Sequence, residues 1–87
     1  YLPKSDKSVV TKAKSTLKSL QSSLKLLNVG GLIFIIFYVG HDGGMEEYNI
    51  SKDFLKVVNQ RYYNIIEINY LNQINNPPRL VCIERIR

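Results

Sequence analysis

Eighty-seven residues, 45% hydrophobic and 22% charged, give one small globular unit rather than a disordered chain. A single cysteine, Cys82, excludes an internal disulfide framework, and one histidine beside it excludes a Cys/His zinc cluster. The net charge of +5 is concentrated: residues 1–28 hold six lysines against Asp6, while residues 29–87 are balanced.

Residues 1–7 read as a polar lead-in, and residues 8–87 as one α/β unit. From Ser8 to Asn28 the apolar positions Val9, Val10, Ala13, Leu17, Leu20, Leu24 and Leu27 recur in steps that mark one face of an amphipathic helix. Gly30 or Gly31 would end it in a left-handed turn. Lys7, Lys14, Lys18 and Lys25 share a second face, which reads as a solvated basic surface. Without interleaved aromatics or arginine it supports weak contact with an anionic surface at most, and nucleic acid is not expected as a partner.

Leu32 to Val39 is an uncharged apolar run, too short for a membrane span of about 20 residues. Its Ile and Phe content predicts a strand buried on both faces, followed at once by Gly40, His41, Asp42, Gly43 and Gly44. The loop contains neither phosphate-binding glycine pattern. Ser51 is the expected cap of a second helix carrying Phe54, Leu55, Val58 and Tyr62. Residues 63–75 fit either an alternating strand or a helix; their asparagines favour an irregular helix or a long connection. Asn75 to Pro78 stop that segment, and Arg79 to Ile86 read as a second strand. The order helix, strand, helix, strand predicts a small parallel sheet joined by a crossover.

An apolar strand ending in a histidine–glycine loop, a helix, and then a Pro-basic-apolar strand is similar to the caspases and their metacaspase and legumain-like relatives. His41 stands 45 residues before Ile86, against the roughly 50 that separate histidine from cysteine in caspases. The resemblance implies part of a caspase-like fold. It places His41 as a vestigial catalytic residue, Asp42 at the oxyanion position, Ile86 at the nucleophile position, and Glu84 and Arg87 in a substrate-pocket-like position. Isoleucine offers no nucleophile, so the implied function is a pseudo-protease, an intracellular, cytoplasmic interaction module that pairs with a protein partner, a homodimer mate or its own missing half. Two other readings stay open. One is an active cysteine peptidase using Cys82 as an alternative nucleophile with His41, and the other a basic module binding nucleic acid or anionic membrane. None needs a cofactor or a metal. The chain starts at Tyr1 without a signal-peptide pattern, which suggests an excised or processed piece.

Overall fold

The computed structural model of the protein describes residues 3–87, with side chains from residue 13 onward. The basic segment forms helix α1, Pro3–Leu26, which starts earlier than the expected Ser8 because proline is tolerated in a first helical turn. Ala13, Leu20 and Leu24 are buried, whereas Lys14, Lys18 and Lys25 are exposed, as the helical spacing predicts. The side chains of Lys7, Val9 and Val10 lie outside the described residues. Gly30 takes the left-handed conformation (φ 85°) that turns the chain into the sheet.

The apolar run forms strand β1, Leu32–Phe37, followed by helix α2, Gly44–Lys56, strand β2, Tyr63–Ile68, and strand β3, Arg79–Arg85. The result is a mixed α/β unit with a three-stranded sheet in the order β1-β3-β2. Strand β3 runs antiparallel to both neighbours, so the predicted parallel pairing of the two apolar strands is corrected. The physical reason lies in residues 63–75, read as irregular but containing β2. Of the asparagines that argued against a strand, only Asn64 falls inside it, at an exposed position where it donates to Glu84. Asn69, Asn72 and Asn75 lie in the following loop, which turns the chain back so that β3 returns between the other two strands.

Register fixes two faces. Val81 lies between Ile35 and Glu67, and Ile83 between Ile33 and Ile65; this face carries the core with Phe37, Tyr48, Leu20, Leu24 and Leu55. Both helices cover it, and the Tyr63 hydroxyl ties β2 to α1 by donating to the Leu24 carbonyl at 2.9 Å. On the opposite face Cys82 lies between Phe34 and Ile66, and Leu80 between Ile36 and Ile68. Phe34, Ile36, Ile66 and Ile68 are all more than half exposed. The expectation that β1 is buried on both faces therefore fails within the described residues. Among them, no helix is long and apolar enough to cross a membrane.

Candidate functional site

The two long loops meet at one end of the sheet, where β1 and β2 finish and β3 begins. The first, residues 38–43, is a tight reversal: the His41 amide donates to the Tyr38 carbonyl (3.4 Å), and the Gly44 amide to the His41 carbonyl (2.9 Å). Gly43 (φ 80°) caps α2, so the helix starts well before the expected Ser51. Ser51 instead lies in the middle of α2 with its side chain fully buried. Gly44 allows the early start, because a β-carbon there would sit 2.1 Å from the Tyr38 carbonyl oxygen. Tyr38 and His41 are exposed, with ring centroids 6.2 Å apart.

The second loop, residues 69–78, holds Asn69, Tyr70, Asn72, Gln73, Asn75 and Asn76 before Pro77 and Pro78. Asn75 (φ 66°) and Asn76 (φ 53°) are both left-handed, a conformation asparagine accepts better than most residues. A β-carbon on Gly40 would lie 3.4 Å from the Asn76 carbonyl oxygen, so the two loops touch.

Behind the loops a polar network crosses the helix-covered face. The Tyr48 hydroxyl donates to Glu67, and Lys52 donates to that hydroxyl at 2.9 Å and to Glu67 at 3.3 Å. The Arg79 guanidinium lies over the Tyr48 ring, 4.6 Å from its centroid. Burial alone would push the Glu67 carboxyl up, but hydrogen bonds from Tyr48 and Lys52, and the ammonium charge, hold it below the ordinary carboxylate value. Hydrogen bonds to Tyr48 and then Glu67 hold the Lys52 ammonium above its ordinary value. Glu67→Gln should therefore lower stability at neutral pH by under about 1 kcal/mol, because the Lys52–Glu67 pair is partly open to solvent. Because the folded pKa is depressed, that contribution is complete above pH 4.5, the ordinary value, and disappears as pH falls through the folded pKa. Urea titrations of both proteins at pH 7 and pH 3 measure it, with the difference expected to shrink at the lower pH.

The antiparallel register separates the residues that the caspase resemblance brings together. Glu84 pairs with Leu32 at the start of β1, so Glu84, Ile86 and Arg87 lie at the opposite end of the sheet from His41 and Asp42. Cys82 pairs with Phe34 in mid-strand, away from the His41 loop. Among the described residues no group of three His, Cys, Asp or Glu side chains could hold a metal ion.

Comparison with known proteins decides the family. Residues 1–84 match the family model described as "Putative rRNA methylase". The chain belongs to that family. The finding overturns the caspase-like resemblance, and with it the pseudo-protease and cysteine-peptidase readings. A crystal structure of a putative rRNA methylase from Clostridium thermocellum superposes with a TM-score of 0.81 at 39% identity, covering 85% of this chain and 40% of that one. A putative methyltransferase from Streptococcus mutans, solved in complex with SAH, gives a TM-score of 0.77 at 32% identity over 85% of this chain and 40% of that one. The chain is also 41% identical over 54 residues, 62% of its length, to the chloroplastic tRNA (mnm(5)s(2)U34)-methyltransferase of Arabidopsis thaliana. It spans 40% of these two solved structures and the match covers 20% of the Arabidopsis protein.

Within the methylase family the loop end of the sheet carries new weight, and the sequence reading had passed over most of it. Tyr70, Asn69 and Asn72 read as part of an irregular helix or long connection, with Asn75 to Pro78 as its stop. The available signal was the interleaving of Asn and Gln with Tyr across residues 69–76. The network had a signal as well, since Tyr48 and Lys52 stand four apart on α2, where side chains meet.

Proposed function

We infer that this chain forms a substrate-facing part of an RNA methyltransferase, with loops 38–43 and 69–78 against the RNA. The family supports the class of reaction. The observation that carries the placement is the contact of the two exposed loops at one end of the sheet, joined where the Asn76 carbonyl approaches Gly40. Nucleic acid takes the place of the protein partner or homodimer mate expected from the sequence. The exposed Lys14, Lys18 and Lys25 add a diffuse, salt-sensitive attraction for phosphates without selecting a sequence.

Three acidic side chains of the chain are engaged and so are not free to hold a group such as the SAH of the S. mutans relative. A ribose diol is commonly held by an unengaged acidic side chain, with the backbone closely approaching the ligand. Here Glu67 is taken by Tyr48, Glu47 by Thr16 and Glu84 by Asn64. The space a side chain at Gly44 would need is filled by the Tyr38 carbonyl rather than left for a ligand.

Ultraviolet cross-linking of the native protein to tRNA and rRNA fragments, with the joined peptides identified by mass spectrometry, tests the placement. Cross-links are expected in peptides containing residues 38–43 and 69–79. Cross-links confined to α1, or none at all, would refute it.

A further inference from the structure

We propose that Tyr48 is the positioning residue that holds loops 38–43 and 69–78 in one fixed arrangement for RNA. The role rests on the RNA methyltransferase reading and concerns the geometry of its two loops. Tyr48 is 1% exposed and stands one turn into α2, just after the first loop. Its ring meets Phe37 edge-on, with centroids 5.5 Å apart, and Phe37 is where β1 enters that same loop. The Arg79 guanidinium lies over the ring, 4.6 Å from the centroid, and Arg79 is where the second loop re-enters the sheet. The hydroxyl donates to Glu67, the next-to-last residue of β2 before the second loop begins.

Each loop has two roots, and Tyr48 stands on one of the four and touches the other three. Phe37 and Arg79 are direct partners in the β1–β3 ladder, so the ring spans a cross-strand pair. Glu67 lies on β2 opposite Val81, so the hydroxyl extends that span to the third strand. A hydroxyl bonded to a carboxylate is charge-assisted and stronger than a neutral pair, and a guanidinium over an aromatic ring adds a cation–π attraction. Lys52 donates to the same hydroxyl at 2.9 Å, which uses its acceptor capacity as well.

Each loop fixes its own shape, the first by the hydrogen bonds of the His41 and Gly44 amides and the second by the left-handed Asn75 and Asn76. Tyr48 adds the tie between them, beneath the approach of Gly40 to the Asn76 carbonyl. Loops held in advance do not have to be ordered when a partner binds, so less affinity is lost. Tyr63 is the matched comparison. Its hydroxyl also donates, to the Leu24 carbonyl at 2.9 Å, and an arginine, Arg85, also lies over its ring, at 5.9 Å. It pairs with Arg85 at the far end of the sheet, away from both loops.

The experiment compares the native protein with Tyr48→Phe and Tyr63→Phe by nitrogen-15 relaxation of backbone amides, and by binding to total tRNA and fragmented rRNA at fixed salt. Both variants keep the ring and lose one hydroxyl hydrogen bond, so a merely structural role would move them alike. Backbone order parameters in both loops should be near ~0.85 in wild type and Tyr63→Phe, and fall below about 0.6 in Tyr48→Phe. Tyr48→Phe should also bind RNA about fivefold more weakly, with Tyr63→Phe at the wild-type affinity. Arg79→Gln, which takes the cation from the ring without opening the core, should lower the order of residues 69–78 in the same way. Equal loop order in the two tyrosine variants would overturn the positioning role and leave the methyltransferase reading intact. Looser loops with unaltered RNA affinity would overturn it too. A wild type that binds neither RNA would remove the methyltransferase reading itself, and this role with it.

Discussion

Gly44→Val should abolish the native fold of the loop end and destabilise the protein by more than about 3 kcal/mol. The β-carbon would stand 2.1 Å from the Tyr38 carbonyl oxygen and 3.2 Å from the Val39 α-carbon. Both are backbone atoms, so no rotamer change relieves the overlap, and Gly44 is buried at the first turn of α2. Relief requires α2 to withdraw from the end of β1, and α2 carries Tyr48 and Leu55 into the core. Gly40→Ala is the control, because its β-carbon would meet the Asn76 carbonyl at an ordinary 3.4 Å and it costs under about 1 kcal/mol. Chemical denaturation followed by circular dichroism distinguishes them. A Gly44→Val protein with the midpoint of wild type would show that the close approach of α2 to β1 is not needed.

Most of the elements were legible in the sequence, but their arrangement was not. The leucine spacing of α1 predicted the buried Leu20 and Leu24, and the apolar run and the segment after Pro78 gave β1 and β3. Periodicity reports which side of an element is apolar, but says nothing about which strand lies beside it or in which direction. Overlooking β2 left β3 with one possible neighbour, β1, and a helix between them implied a parallel pair. The same error sustained the caspase resemblance, which counted residues from His41 to Ile86 without knowing that β3 runs away from the His41 loop. Each of its motifs is short, and apolar strands ending in glycine loops recur wherever a helix follows a buried strand. The apolar outer face of β1 was legible as a need for cover, though no pattern in the chain says what covers it. The loop end was illegible for another reason: the Asn76 carbonyl meets Gly40 only through the fold, across a long separation in the sequence.

Transfer of a methyl group to RNA, the activity proposed for the protein, is the second large expected effect. The family match, the two solved relatives at 39% and 32% identity, and the Arabidopsis relative name one class of chemistry. The loops supply exposed Tyr, His, Asn and Gln side chains suited to holding RNA. The assay incubates the native protein with S-adenosylmethionine carrying a labelled methyl group and with separate tRNA and rRNA pools, then digests the RNA and identifies labelled nucleosides by mass spectrometry. The account predicts label in one nucleoside of one pool. Label in neither pool, from a folded protein that binds the methyl donor, would contradict it.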